Sequence, residues 1–298
     1  MTDRLKQKRV ILFAKPGSPQ VAPKSKELLA WLNERVTVVA NNIENTEDIK
    51  SFPEADYAIV IGGDGSVLST VRKLGTKQIP VIGVDMGKLG FLLEFSINDL
   101  KTHFEQLLSD ETLITDRMMF DCVFTRNNES KHYLVVNELS ISTGKPFQMI
   151  EVGINIGEEV LGVCRGDGLV VSTSTGSTAH NLAAGGPILD AKIIGAIITP
   201  LVPHSLSFRP VVVSLDTPII LTTPNLMPAD EIAEINDKNH AQATLLVDGV
   251  CMEELCSNDV ITITKSTTGF KLVRHPKLGR WRLLNSKLRW GASPNYNT

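Results

Sequence analysis

The chain has 298 residues, 42% of them hydrophobic, enough to bury two modest cores, and its formal net charge of −3 leaves no overall footprint for nucleic acid or an anionic membrane. Any polyanion must therefore be bound locally. The longest apolar stretch, Ile193 to Val202, is interrupted by Thr199 and Pro200 and falls short of the roughly 20 residues of a bilayer span, while Val10 to Ala14 is too short for a signal sequence, so a soluble cytoplasmic protein is expected.

In chain order, Val10 to Ala14 predicts a strand, Lys24 to Glu34 a helix, and Val36 to Ala40 and Tyr57 to Ile61 two further strands. The next stretch, Gly62-Gly63-Asp64-Gly65-Ser66, joins the last of these strands to a helix that opens near Asp64. Such a turn has almost no side-chain bulk, so its N–H groups can approach a phosphate, and the helix N-terminus favours an anion. A carboxylate beside bound phosphate is unfavourable unless a metal ion intervenes or the acid takes a proton, so Asp64 points to phosphoryl transfer as well as binding. A strand at Pro80 to Val84 and an amphipathic helix at Ile97 to Leu108 complete a β-α-β rhythm. This predicts a Rossmann- or flavodoxin-like α/β domain, residues 1–115, with a mainly parallel sheet and a ligand at the carboxyl ends of its strands.

After Asp116 the rhythm changes. Short runs at Phe120 to Thr125, Tyr133 to Val136, Glu151 to Ile156, Leu169 to Ser172, Val211 to Leu215, Ile219 to Thr222, Thr244 to Val247 and Val260 to Thr264 predict a mainly antiparallel, sandwich-like β domain over 116–271. Pro224 to Gln242 is polar and acid-leaning and reads as an exposed excursion without chemical part. Cys122, Cys164, Cys251 and Cys256 lack metal-ligand or C-x-x-C spacing and are expected to be buried free thiols. The acid-free end, 272–298, interleaves Lys and Arg with Trp281 and Trp290 and reads as a tail docking on the first domain.

The run from Arg165 to His180 combines glycines, an apolar strand and six hydroxyl residues, of which helix capping by Ser177 or Thr178 accounts for one or two. The rest are free to hold ribose, amide or phosphate.

Five stretches, Gly62 to Gly65, Gly87 to Leu92, Asn137-Glu138, Asp167 to Gly186 and Pro203 to Pro210, together make the chain resemble the NAD kinases, which phosphorylate the adenosine-ribose 2′-hydroxyl of NAD. The resemblance implies Asp64 as catalytic base and Gly62, Gly63, Gly65 and Ser66 as the phosphate loop. For NAD it implies Asp64, Gly65, Phe91, Asn137, Glu138, Arg165, Asp167, Thr175, Thr178, Ala179, His180, Asn181, Leu182 and Ala183, with part of the 175–183 loop serving a neighbouring subunit. No protein metal site is implied. Magnesium or another divalent cation arrives with the donor, which is ATP or polyphosphate, and the assembly is a homodimer or homotetramer. Ser174, His180 and Val250 depart from the family's usual proline, tyrosine and glutamine, which implies a retained site with altered affinity. On a regular strand Asn137 and Glu138 would face opposite ways, so an irregularity is expected there. A lipid kinase with a similar glycine loop, or a non-catalytic NAD sensor, are the rival readings.

Overall fold

The computed structural model describes residues 5–14, 22–42, 53–87, 90–145, 147–228 and 242–290. Lys88 and Leu89, most of the 224–242 excursion and the last residues of the tail lie outside them. The chain forms two compact units, Met1–Asp116 with Lys271–Thr298, and Arg117–Phe270.

The first unit holds β1 (Arg9–Ala14), α1 (Ala22–Asn33), β2 (Thr37–Asn41), β3 (Tyr57–Gly62), α2 (Asp64–Leu74), β4 (Val81–Asp85), α3 (Ile97–Ser109) and β5 (Ile114–Arg117). Its sheet has the order β2-β1-β3-β4-β18-β5, where β18 (Phe270–Val273) enters from the far end of the chain. Strands β2, β1, β3, β4 and β18 are parallel. Burial follows the pleat: Val10, Leu12, Ile59, Ile61, Ile82 and Val84 pack with Leu28 and Leu32 of α1 and Leu100, Phe104 and Leu107 of α3. The alternate residues Ile11, Ala58 and Val60 are equally buried. Helix α2, which packs on β3 and β4 through Val67, Val71 and other residues at helical spacing, covers that opposite face. Both ends of α2 and the start of α3 are written locally. Gly75, at φ 58°, closes α2 by donating to the carbonyls of Val71 and Arg72, and Ser96 with Asp99 forms a reciprocal capping box on α3.

In the second unit, β6 (Phe120–Arg126), β7 (Glu129–Val135), β9 (Ile150–Ile156), β10 (Glu159–Gly166), β14 (Ile219–Thr222) and β17 (Val260–Lys265) form one sheet in the order β10-β9-β14-β17-β6-β7. The other is β13-β12-β11-β8-β15-β16, from β8 (Glu138–Thr143), β11 (Gly168–Thr173), β12 (Ala196–Leu201), β13 (Val211–Val213), β15 (Ala243–Val247) and β16 (Val250–Leu255). Neighbouring strands in both are antiparallel throughout. Inward residues of both sheets, Phe120, Val152, Leu221 and Ile261 from one and Leu139, Ile141, Val171 and Leu245 from the other, share one core, which makes the unit a sandwich.

Two expectations need correction. Cys251 is exposed, because it lies on β16, the outermost strand of its sheet, whereas Cys122, Cys164 and Cys256 are buried free thiols. The strand predicted to run to Val136 ends at Val135, and Val136 and Asn137 form a bend by which the chain leaves one sheet for the other.

Candidate functional site

The glycine loop closes β3 at the carboxyl edge of the parallel sheet. Gly62 adopts φ 155°, and a Cβ there would run into Ser66 Oγ, so the loop itself demands glycine at this position. Gly63 and Gly65 are different. Both are exposed, neither has positive φ, and a Cβ on either would meet nothing within 4 Å. No protein neighbour requires them to be bare, and the space in front of both is open. Gly63 is also the N-cap of α2 without a side-chain bond, which leaves the first N–H groups of the helix available to an anion.

Asp64 is the first residue of α2, and its half-buried carboxylate is held by a strap from the end of β4. Oδ2 accepts from the Phe91 N–H at 3.1 Å and Oδ1 from the Leu92 N–H at 3.0 Å. The strap is close because Gly90 lets it be: a Cβ there would overlap the carboxylate. Phe91, partly exposed, has Lys287 Nζ 5.9 Å from its ring centre. Lys287 belongs to α5 (Arg280–Leu288) of the tail, and Leu283 of that helix is buried.

In the second unit a polar cluster forms where three segments meet. The bend at Val136 and Asn137 interrupts the strand as geometry requires, so Asn137 and Glu138 need not alternate. The turn after β11 lies on it. Gly176 packs so closely on the Asn137 backbone that a Cβ would clash with it, Thr173 N–H donates to the Asn137 carbonyl at 2.8 Å, and Thr173 Oγ1 donates to the Val136 carbonyl at 2.7 Å. The third segment is the β15–β16 hairpin, turned by Asp248 (φ 47°) and Gly249 (φ 76°). Asp248 accepts from the N–H groups of Val136, Asn137 and Glu138 at 3.2, 2.7 and 3.3 Å and returns its own N–H to the Glu138 carbonyl at 2.9 Å.

Most of the hydroxyl-rich run is scaffold. Ser172, Thr173, Ser174, Ser177 and Thr178 all donate to backbone carbonyls. Ser177 and Thr178 do not cap a helix: they belong to a 3₁₀ turn, Gly176–Thr178, and the single-turn helix α4 (His180–Ala183) starts after Ala179 without a side-chain cap. Asn181 is fully buried, its amide donating to the carbonyls of Ser177 and Pro187 and accepting from the Thr199 hydroxyl. Two buried atoms stand apart, Thr175 Oγ1 and Glu138 Oε2, which have no hydrogen-bond partner. Burial, and then the neighbouring Asp248 charge, pushes the Glu138 carboxyl up to about 8, against the opposing effect of the His180 N–H. His180, Arg165 and Asp167 are exposed, with Arg165 Nε 2.5 Å from Glu151 Oε1; Leu182 and Ala179 are half-buried and Ala183 exposed.

Asp248 is the residue that sequence reasoning passed over. The Asp-Gly pair between two apolar runs was the available signal for a tight hairpin, and a residue aimed from such a turn is placed with precision.

A glycine loop that ends a parallel strand beside an oriented carboxylate suits phosphoryl transfer, the chemistry of a phosphotransferase. Comparison with known proteins is specific. The ATP-NAD kinase N-terminal domain profile matches residues 39–112 and the ATP-NAD kinase C-terminal domain profile residues 136–275. The chain is 34% identical over 294 residues to an NAD kinase of Trichlorobacter lovleyi, covering 95% of this chain and 99% of that one. It is 32% identical over 285 residues to an NAD kinase of Rhodopirellula baltica, covering 95% and 87%. The chain belongs to the NAD kinase family, and is a phosphotransferase acting on NAD rather than a lipid kinase or a sensor. Its fold is that of yeast NADH kinase solved with NADH (TM-score 0.85, 24% identity, 98% of this chain and 90% of that one) and of an Archaeoglobus fulgidus NAD kinase solved with ATP (TM-score 0.71, 23%, 94% and 98%).

Proposed function

We propose that Asp64 is the general base that takes the proton of the adenosine-ribose 2′-hydroxyl of NAD as phosphorus approaches it. The observation that carries this is the pair of strap N–H bonds, which fix the carboxylate beside two glycines that no protein contact requires. A carboxylate is a weak base towards an alcohol, so the proton moves late, once the forming P–O bond has acidified the hydroxyl. Gly62, Gly63, Gly65 and Ser66 form the loop that holds the donor phosphates, through its backbone N–H groups other than that of Ser66, which donates to the Gly63 carbonyl at 2.8 Å, and without the lysine of a G-x-x-x-x-G-K-[ST] loop, a motif absent from the sequence.

Magnesium comes with the donor, bound to its phosphates, and supplies the charge neutralisation that such a lysine otherwise would. With Asp64 on the loop and Asp85 paired with Gly62 at the end of β4, the ion would keep its water and substrate ligands. ATP is the proposed donor, in keeping with the family's name. NAD is held by Phe91, Asn137, Glu138, Arg165, Asp167, Thr175, Thr178 and Ala179, with His180 stacking in place of tyrosine and Asn181, Leu182 and Ala183 shaping the loop. Exposed apolar residues on β10 (Val160, Leu161 and Val163) and β13 (Val211 and Val212) favour a homo-oligomer. Cytoplasmic location agrees with the absence, among the described residues, of a helix long and apolar enough to cross a membrane. Incubation with NAD, magnesium and either ATP or polyphosphate, followed by measurement of NADP, tests the reading: product with ATP is expected, and none with either donor would refute it.

A further inference from the structure

Glu138 is an acid in an expensive place. It is 7% exposed, at the start of β8 and opposite Ser172 of β11, and one of its oxygens has no partner. A buried carboxylate in that condition costs free energy unless something arrives to bond it or a proton neutralises it. Among the described residues of this unit, the charged group acting on it is Asp248, on the β15–β16 hairpin; β11 contributes no ionisable side chain, and α4 contributes the His180 N–H while the imidazole is exposed.

Two nearby carboxyl groups can share a cation or share a proton. Asp248 is ill suited to a cation, because its oxygens already accept from three backbone N–H groups of the 136–138 crossover. Those bonds favour its charged form. The negative charge is thereby fixed on Asp248, and the proton falls to Glu138.

We propose that Asp248 is a positioning residue of the dinucleotide site: it locks the Asn137–Glu138 bend through the backbone and, by its fixed charge, makes Glu138 a hydrogen-bond donor to an acceptor oxygen or nitrogen of NAD. This rests on the reading of Glu138 as an NAD-site residue. The physical opposite, a carboxylate accepting from ribose hydroxyls, would leave two negative groups together in a dry place beside an anionic ligand. The raised titration of Glu138, to about 8, has the sign that the donor role needs, since the acid stays protonated through neutral pH.

The test is calorimetric titration of the full chain with NAD, no phosphoryl donor present, between pH 6.5 and 9.5. For the wild type, the dissociation constant should be level up to the Glu138 midpoint at about 8 and then rise about tenfold per pH unit, the slope for loss of one required proton. Glu138→Gln, an amide that donates at every pH, should bind with no such break. Asp248→Asn keeps an acceptor oxygen for the crossover but removes the charge, so the break should move to lower pH. A wild-type curve flat to pH 9.5, a break that survives in Glu138→Gln, or a break unmoved in Asp248→Asn overturns the proposal. If Glu138→Gln fails to fold, as judged by its thermal melt, the Asp248→Asn shift still decides. Should Glu138→Ala bind NAD like the wild type at pH 7 while the wild type makes NADP, the assignment of Glu138 to the site is at fault and the proposal falls with it; absence of NADP from the wild type instead condemns the activity.

Discussion

Replacing Gly90 by alanine probes the catalytic strap at a single carbon. A Cβ at this position would stand 2.7 Å from Asp64 Cγ and 3.0 Å from Oδ2, with Oδ1 closer still. Carbon atoms in contact prefer about 3.5–4.0 Å, so the carboxylate has to retreat by about 1 Å. It then loses or stretches the bonds from Phe91 N–H and Leu92 N–H, now 3.1 and 3.0 Å, each of the charged kind that contributes about 1.5–3 kcal/mol. Gly90 has no positive φ, so alanine fits its backbone, and the lower unfolded-state entropy returns about 0.4–1 kcal/mol. A base displaced by about 1 Å should lower kcat about a hundredfold, whereas the NAD contacts assigned elsewhere should keep KM within about threefold. Initial rates of NADP formation at saturating ATP, together with a thermal melt, measure both. A folded Gly90→Ala protein with kcat within about threefold of wild type would refute the idea that the strap positions Asp64.

Gly63, Asn181 and His275 each carry a further expected outcome. Gly63→Ala meets nothing in the protein, so its melting temperature should match the wild type while its KM for ATP rises at least about tenfold; an unchanged KM would show that the space is not used by phosphate. Asn181→Ala strands the buried Thr199 hydroxyl and Ser177 carbonyl, besides releasing the part-buried Pro187 carbonyl, and should cost about 2–4 kcal/mol in urea unfolding, with a loss below about 0.5 kcal/mol contradicting the scaffold role. His275 accepts the N–H groups of Lys277 and Leu278 on Nδ1 and stacks on Phe95, and burial first, then His103 and Lys277, lowers its pKa against the pull of Asp99. The folded form binds its proton less readily than the unfolded chain, so this contribution is complete above pH 6.5, the ordinary histidine value, and is lost as pH falls below it. Hydrogen exchange corrected for intrinsic rate should therefore quicken over 275–288 between pH 7 and 5, and a pH-independent rate would contradict a role for neutral His275 in holding this segment.

Strands β1, β3 and β4 of the α/β unit were legible as continuous apolar runs and its helices by buried positions at helical spacing, whereas β5 and β18, short and carrying charged residues, were not. Strands of the sandwich were harder. Strands β10 and β16 are largely exposed edge strands with mixed composition, and β8 alternates core residues with Glu138, Ser140 and Ser142, so neither kind forms an apolar block. The glycine loop could be read from five adjacent residues because its geometry is local. The Asp248 clamp could not, since it joins residues 110 to 112 positions apart and exists only once β8 and β15 have paired. The hydroxyl run carries a second duty that composition does not reveal: its residue types suit a ligand, but a chain that folds back over β11 into a buried turn has backbone carbonyls of its own to satisfy.

The most direct test of the account is single-turnover formation of NADP by Asp64→Asn, measured beside calorimetric NAD binding. The asparagine keeps an oxygen for one strap N–H but cannot accept the ribose proton. The account predicts NAD affinity within about threefold of wild type and a chemical step slowed by at least about a hundredfold. An Asp64→Asn enzyme that transfers phosphate at close to the wild-type rate would contradict it.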